Sequence, residues 1–365
     1  MAVVALAALA ATACSGLGHA VSFHRERRAK LIEWGWDQPN TAYLREHIRE
    51  MEQAPFDGVV LGVVVRGDDG KTIDFTWKAF GRQSFTREQI EPVIADLRAT
   101  RFRKFTDNFL RFNVTPGDVD WFDDAGWETI YANARLAAAI AREGRLKGLM
   151  FDAEQYGFPL FNYQKQTGRD AHSVEEYARQ VRRRGRELMG AINGTFPAPT
   201  ILLPVAHSFA YVHSRDRAKG DYGLLPAFCD GLIEAATPKT TFVDGLEMAY
   251  PTKERAQFEK LRRTVREARV FSAVPELYDR RMTVAFGLWM DHNWRGRKGW
   301  FPDEPSKNHF SPDELKRALR EALTLSDGYV WLYSEQINWW TGKGLSPDYR
   351  RAVEKARKTT LNSER

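Results

Sequence analysis

The chain alternates short runs of apolar, β-favouring residues with longer stretches of helical periodicity, and the alternation continues along nearly its whole length. This pattern predicts eight strands, separated by helices such as 43–53, 130–143 and 312–325. The strands are predicted at 31–36, 58–65, 103–110, 147–151, 201–206, 242–248, 284–290 and 328–333. Strands that alternate with helices pair in parallel, because each helix returns the chain to the same end of the sheet.

Two parallel architectures fit this pattern, an open doubly wound sheet and a closed barrel. No Gly-x-Gly-x-x-Gly motif follows the first predicted strand, and no Pro-, Gly- or Ser-rich linker divides the chain. We therefore predict a single (β/α)8 TIM barrel over residues 31–365. In such barrels the chemistry takes place at the carboxyl ends of the strands and in the loops that follow them.

The amino-terminal residues have the composition of an export signal. Residues 2–13 are apolar and end in Ala11-Thr12-Ala13, a small-x-small cleavage pattern that Cys14 follows directly. This order resembles a bacterial lipoprotein signal, so Cys14 is the expected lipidation site, with membrane attachment as its consequence. The alternative is a plain secretory signal in which Cys14 has no role. Either way we expect export to the periplasm or cell surface, with residues 14–30 as a charged lead-in to the barrel.

Charge and motifs exclude several classes of partner. Lys and Arg number 54 and Asp and Glu 48, so the net charge is only +6 and is dispersed. The densest basic cluster, 182–186, lies in a predicted helix and is interpreted as a solvated helix face. No basic stripe with interleaved aromatic residues is present, so nucleic acid is not an expected partner. Metal-ligand spacings and phosphate-binding loops are also missing from the sequence, so no cofactor or metal is expected, although the Asp-rich loops 67–70 and 118–124 leave a calcium site open.

The end of the fourth predicted strand carries the pair that points to catalysis. Met150, Asp152 and Glu154 share one face of the strand, so both carboxylates are expected to point into the barrel mouth. Neighbouring carboxylates push their pKa values apart, which leaves one of them protonated near neutral pH, as a general acid requires. The alternative is a structural ion pair with a loop arginine.

Side-chain alternation selects further residues at the ends of the last three strands. Trp289 and Asp291 are expected to point inward from the seventh strand, and Trp331 and Glu335 from the eighth. In the sixth strand Glu247 and Tyr250 fall on opposite faces, so one of the two is expected to reach the cavity, but not both.

Tryptophan residues concentrate in or just after the first, seventh and eighth strands, which meet where a barrel closes. Flat aromatic rings around an acidic cavity suit the faces of sugar rings, although Trp34 is expected in the helix layer. The loop 335–340 adds Asn338 and Trp340, which we interpret as substrate-binding residues. The alternative is a hydrophobic plug that closes the end of the barrel.

Three segments resemble family 18 of the glycoside hydrolases, which includes chitinases and endo-N-acetylglucosaminidases. Residues 147–157 are similar to that family's fourth-strand Asp-x-Glu motif followed by Tyr, 248–250 to its Met-x-Tyr, and 328–331 to its eighth-strand segment ending in Trp. The resemblance implies that Glu154 is the general acid and that Asp152 orients an acetamido group of the substrate. It also implies that Tyr250 contacts that group and that Trp331 forms the floor of the sugar subsite.

Two alternatives to this mechanism remain open at the sequence level. A retaining glycosidase would use Glu154 as acid/base and Asp291, Glu335 or Glu247 as the nucleophile. A surface glycan-binding barrel without catalysis would use the same residues to hold a carbohydrate. Both alternatives keep a carbohydrate as the partner.

Overall fold

The structure, a computed structural model, describes residues 29–67, 69–294 and 299–362, with side chains as far as residue 358. The predicted signal 1–13, Cys14 and nearly all of the lead-in lie outside the described residues. The strands are β1 (Lys30–Gly35), β2 (Gly58–Leu61), β3 (Val64–Arg66), β4 (Thr72–Asp74), β5 (Phe109–Asn113), β6 (Gly148–Asp152), β7 (Thr200–Leu203), β8 (Thr241–Asp244), β9 (Met282–Trp289) and β10 (Tyr329–Ser334). The α-helices are α1 (Thr41–Met51), α2 (Phe75–Lys78), α3 (Arg87–Ala99), α4 (Asp124–Glu143), α5 (Val174–Thr195), α6 (His207–His213), α7 (Leu225–Ala235), α8 (Arg255–Glu267), α9 (Pro275–Arg281), α10 (Pro312–Leu325) and α11 (Pro347–Asn362).

Eight of the strands close into a parallel barrel in the order β1-β10-β9-β8-β7-β6-β5-β2, and β2 pairs back onto β1. The strand pair β1–β10 closes the barrel over six residue pairs, from Lys30 opposite Tyr329 to Gly35 opposite Ser334. The remaining two strands, β3 and β4, form a small antiparallel hairpin after β2. The predicted TIM barrel is confirmed.

The third barrel strand was predicted too early in the chain, at 103–110 rather than Phe109–Asn113. The residues just ahead of the observed strand form hydrogen bonds at the amino-terminal end of the barrel. Asn108 accepts a hydrogen bond from the Val59 amide at 3.1 Å, and Asp107 accepts one from the Tyr329 hydroxyl at 2.8 Å. Because these polar groups fix the start of the strand, its inward face continues to Arg111 and Asn113.

Apolar side chains divide into a core inside the barrel and a larger core between barrel and helices. The inner core contains Met150, Ala285 and Trp331, while Leu149, Phe151 and Leu332 belong to the outer one. The alternation predicted for β6, β9 and β10 is therefore confirmed. The prediction that Trp34 lies in the helix layer is wrong. Its side chain points into the barrel and packs against Trp331, with ring centroids 5.0 Å apart.

Helix starts are set by local capping, and helix packing by charge pairs as well as apolar contact. Ser173 and Glu176 form a capping box at the start of α5, which satisfies backbone amides that have no partner inside the helix.

The basic cluster of α5 is not simply a solvated face as predicted. Arg184 is buried and donates to the Trp121 carbonyl at 2.9 Å, while Arg182 pairs with Glu234 on α7 at 3.0 Å.

The last described helix, α11, contacts the amino-terminal end of the barrel through Arg357. Arg357 of α11 forms an ion pair with Asp57 and donates to the Ala29 carbonyl at 3.0 Å, next to the start of β1. Asp57 also accepts a hydrogen bond from the Leu31 amide at 2.9 Å. The two ends of the described chain therefore meet at this face, opposite the carboxyl ends of the strands. Among the described residues, no helix is both long and apolar enough to span a membrane.

Candidate active site

A cavity of about 310 Å³ opens at the carboxyl-terminal face of the barrel. It combines carboxyl groups, one guanidinium and aromatic rings from β1, β5, β9 and β10, from α2, and from the segments that follow β6 and β8. Its lining is Trp34, Gly35, Trp36, Gln38, Trp77, Arg111, Glu154, Tyr156, Glu247, Tyr250, Trp289, Tyr333 and Glu335. This is the face at which TIM-barrel enzymes carry their active sites.

Asp152, the last residue of β6, is fully buried beneath this cavity and does not line it. One carboxylate oxygen accepts from Arg111 Nη2 at 2.9 Å, and the other accepts from the Glu154 backbone amide at 3.0 Å. The role implied for Asp152 by the family 18 resemblance, contact with an acetamido group, does not fit this burial. Asp152 instead holds the backbone of Glu154 in place. The alternative of an ion pair with an arginine is therefore correct for Asp152, although the partner lies on a strand.

Arg111 was missed by the sequence analysis because the third strand was placed too early. Its guanidinium carbon lies 4.5 Å from the centre of the Trp77 ring and 5.3 Å from that of Trp34. The signal that could have found it is side-chain alternation over Phe109, Arg111 and Asn113. Phe109 belongs to the inner core, so Arg111, two residues later, falls on the same inward face. A planar cation held between aromatic faces and a buried carboxylate is fixed in position.

Glu154 extends from the end of β6 into the cavity, half-buried, and accepts a hydrogen bond from the Tyr156 hydroxyl. Burial raises the pKa of Glu154, and the nearby charges of Asp152 and Glu335 raise it further, against the lowering effects of Tyr156 and Arg111. A carboxyl group in this environment keeps its proton to higher pH than an exposed glutamate. It can therefore donate that proton to a bound substrate.

Glu247 and Tyr250 both line the cavity, so the prediction that only one of them reaches it is wrong. The reason is that β8 ends at Asp244, and the chain turns through Leu246, with φ of 43°, into a 3₁₀ turn over Glu247–Ala249. Strand alternation therefore no longer applies. Burial raises the pKa of Glu247 well above its usual range, and the charges of Glu154 and Asp152 act in the same direction.

Glu335 follows β10 directly and brings a third carboxylate to the cavity. It is exposed, and it accepts a hydrogen bond from the Tyr333 hydroxyl at 3.3 Å. Because this carboxylate remains in contact with solvent, its charged form keeps the hydration that a buried carboxylate loses.

Aromatic rings form the remaining walls. Tyr250, Trp289 and Tyr333 contact one another with ring centroids 5.2 to 5.6 Å apart, and we call these three rings the aromatic triad. Trp36 is 72% exposed at the rim and donates from its indole nitrogen to the Tyr333 hydroxyl at 2.8 Å. Trp77, on α2, was not singled out from the sequence, because α2 has only four residues and is too short to show a helical period.

Asp291 lies two residues past the end of β9 and does not line the cavity, and the structure does not leave it free to bind substrate or to act as a nucleophile. Its carboxylate is buried and accepts from the backbone amides of Glu335, Gln336 and Ile337 at 2.6 to 3.1 Å, and from the Trp289 indole at 2.8 Å. Burial raises the pKa of Asp291 to about 6 even though these donors favour the charged form. Asp291 therefore anchors the loop that carries Glu335.

Trp331 is fully buried and lies beneath the cavity rather than forming its exposed floor. Its indole nitrogen donates to the Gly245 carbonyl at 2.8 Å, and its ring supports Tyr250 at a centroid distance of 5.2 Å. The subsite role implied by the resemblance is therefore corrected to a supporting one.

Asn338 and Trp340 lie in the loop after β10 but do not line the cavity. The Asn338 side chain accepts from the backbone amides of Trp340 and Thr341 at 3.0 and 2.8 Å. Trp340 packs against Phe56 and Phe105 and donates to the Asp37 carbonyl at 2.9 Å. The structure therefore does not bring Asn338 and Trp340 into the cavity, and the loop packs against the core between barrel and helices rather than closing the end of the barrel.

The described residues include no group of three or more His, Cys, Asp or Glu side chains arranged to hold a metal ion. In the second Asp-rich loop, Asp123 caps α4 and pairs with Arg82 at 2.9 Å, while Asp124 pairs with Arg184. These carboxylates serve helix capping and packing. Asp68 of the first loop lies outside the described residues.

No protein-family model matches the chain, and no curated protein matches its sequence. In overall structure the chain resembles a family 18 chitinase of Flavobacterium johnsoniae, with 12% identity, a TM-score of 0.41, and coverage of 91% of this chain and 95% of the chitinase. It also resembles a broad-specificity family 5 endoglucanase of Clostridium longisporum, with 10% identity, a TM-score of 0.49 and coverage of 87% and 86%. A third similar structure is an endocellulase of Pyrococcus horikoshii, with 12% identity, a TM-score of 0.48, and coverage of 91% of this chain and 92% of the endocellulase. The structure is thus similar to those of glycoside hydrolases, at a distance that leaves the activity to be argued from the site.

Proposed function

We propose that the protein is an exported glycoside hydrolase that cleaves a polysaccharide or glycan, with Glu154 as general acid. The observation that carries the proposal is the setting of Glu154, a carboxyl group of raised pKa that points into a cavity of carboxylates and aromatic rings at the catalytic face of a barrel. Export is proposed from the apolar segment 2–13 and from Cys14 as lipid acceptor.

Glu154 donates its proton to the glycosidic oxygen as the bond from that oxygen to the anomeric carbon breaks, so the leaving group departs as an alcohol. Arg111 and Asp152 act as positioning residues for this step. The ion pair between them fixes the carboxylate that in turn holds the Glu154 amide. The aromatic rings of the cavity would pack against the faces of the sugar rings.

The second carboxylate of the mechanism is assigned to Glu335. It lines the same cavity as Glu154, its charge acts on the pKa of Glu154, and it is open to the water that the reaction consumes. Asp291 and Asp152 are unsuitable, because both are buried and engaged in other hydrogen bonds. Glu335 either attacks the anomeric carbon, forming a glycosyl–enzyme that water then hydrolyses, or removes a proton from the attacking water.

The test is the release of reducing ends from a panel of polysaccharides that includes chitin, by the wild type and by Glu154→Gln. We expect kcat to fall by about 10²- to 10⁴-fold in the variant, because a general acid typically contributes that factor. Glu50→Gln, the same change at an exposed position of α1, is the matched control and should keep full activity.

Two outcomes would contradict the proposal. Turnover that survives in Glu154→Gln would remove Glu154 from the chemistry. If neither protein cleaves any polysaccharide but both bind one, the protein is a glycan-binding barrel. For an active enzyme, the anomer of the first product, read by NMR, distinguishes the two roles of Glu335.

A further inference from the structure

The cavity holds more carboxyl groups than the proposed reaction uses. Glu154 and Glu335 supply an acid and a nucleophile or base, and Glu247 remains as a third. Among the described lining residues Arg111 is the single cation, and its charge is paired with Asp152 at 2.9 Å. None of these three carboxyl groups forms an ion pair with a cation in the described part of the chain.

Glu247 is the carboxyl group of the cavity that lacks a hydrogen-bonding or charged partner among the described residues. Its side chain is largely buried at the cavity wall, and its carboxylate makes no hydrogen bond or ion pair with any residue in the described part of the chain. Its electrostatic neighbours are Glu154 and Asp152, which carry charge of the same sign. Burial and these neighbours disfavour the charged form of Glu247, and an ammonium group of a ligand placed against it would stabilise that charged form.

The aromatic triad lies beside this carboxylate. Tyr250 follows Glu247 by three residues, its ring is 5.3 Å from that of Trp289, and the Glu247 charge acts on its pKa. Tyr333 completes the triad at 5.6 Å from Tyr250. Aromatic faces attract cations through their negative π surface, and a carboxylate next to several rings is a favourable site for an ammonium group.

We propose that the sugar bound in this cavity carries a free, protonated amino group, as in a polymer of 2-amino-2-deoxyhexoses, and that Glu247 and the aromatic triad bind this ammonium. The inference rests on the proposed glycoside hydrolase function and narrows its substrate class. Glu247 is then a specificity-determining residue, whose carboxylate pairs with the ammonium while the rings cover its other sides. An acetamido or hydroxyl group at the same position carries no positive charge, so it would form no ion pair with Glu247.

The experiment measures binding by calorimetry in the Glu154→Gln background, in which substrate should not be consumed. The ligands are three β-1,4-linked tetrasaccharides that differ only at the second carbon, with an ammonium, an acetamido or a hydroxyl group. We expect the ammonium ligand to bind at least tenfold more tightly than the other two. In Glu154→Gln/Glu247→Gln this preference should disappear, while Glu154→Gln/Glu50→Gln, the matched control, should keep it.

Glu247→Gln preserves the volume of the side chain and removes only its charge, so the fold should persist, and its melting temperature is measured alongside. Trp289→Leu in the same background gives a second test, since loss of one aromatic face should weaken the ammonium ligand more than the hydroxyl ligand. Equal or tighter binding of the neutral ligands, no binding of the ammonium ligand, or a preference that Glu247→Gln leaves intact would each overturn the inference. Binding is measured without turnover. A protein that binds amino sugars but cleaves none would therefore contradict the proposed function and leave the inference about the ammonium site in place.

Discussion

Four acidic residues of the same chemical type have different roles because their surroundings differ. Asp291 accepts from backbone amides and becomes a loop anchor, whereas Asp152 pairs with Arg111 and becomes a support. Glu154 and Glu335 keep a free approach to the cavity, one half-buried and the other exposed. The role of each carboxylate therefore follows from its burial and its donors rather than from its place at a strand end.

At the residue scale, Asp152→Asn should change the pH profile of kcat/KM. The active form of Glu154 is protonated, so activity falls as pH rises through the pKa of Glu154. The variant removes a negative charge that raises this pKa and leaves the positive charge of Arg111, which lowers it. The basic limb should therefore move to lower pH. A limb that stays in place or moves to higher pH would show that Asp152 does not act on Glu154, and Glu50→Gln should leave the profile unchanged.

At the scale of elements, alternation along a strand is informative only while the strand continues. It gave the correct inward faces of β6, β9 and β10, because each of these strands extends up to the cavity. It failed after β8, which ends at Asp244, so that the turn rather than the strand aims Glu247. It also failed for β5, because a search for apolar runs does not expect Arg111 and Asn113 inside a barrel.

An element-scale prediction concerns the contact between β9 and β10 beneath the cavity. A Cβ atom added at Gly287 would lie 2.4 Å from the Trp331 ring, so Gly287→Ala forces this fully buried ring to shift. We expect the variant to lose about 1–3 kcal/mol of unfolding free energy in urea, the usual cost of overpacking a core. Gly328→Ala, where the added atom meets nothing within 4 Å, should change stability by less than about 0.5 kcal/mol. Equal stabilities of the two variants would contradict the tight packing of Trp331.

At the scale of the whole molecule, the barrel could be predicted because eight strand–helix units occur without a dinucleotide-binding glycine motif or a linker, and the structure closes these units into one barrel. The cavity was less predictable. Trp77 enters it from the helix after the β3–β4 hairpin, and Glu247 from a turn, and such segments have no hydrophobic period that reveals their position. Asn338 and Trp340 show the opposite error, in which residues were predicted in the site but lie outside it. Polar and aromatic residues near a site can instead stabilise the packing of a loop.

The proposed lipid anchor belongs to the same scale. If Cys14 is acylated after signal removal, the wild type should sediment with membranes, because two or more acyl chains give stable attachment. Cys14→Ser should then appear in the soluble exported fraction, and the mass of the wild-type amino-terminal peptide should include the lipid. Cys229→Ser is the control, since that thiol is buried on α7 in the core between barrel and helices and should not affect partition. Equal membrane partition of wild type and Cys14→Ser would exclude the anchor.

The meeting of α11 with the start of β1 also determines how such an anchor would orient the protein. Arg357 and Asp57 mark the face where the described chain begins, and the cavity opens at the other end of the barrel. A tether that joins ahead of β1 therefore pulls on the side away from the cavity. The mouth of the cavity would point outward from the lipid surface, so the accessible substrates would be glycan chains in the surrounding medium rather than headgroups of the anchoring membrane.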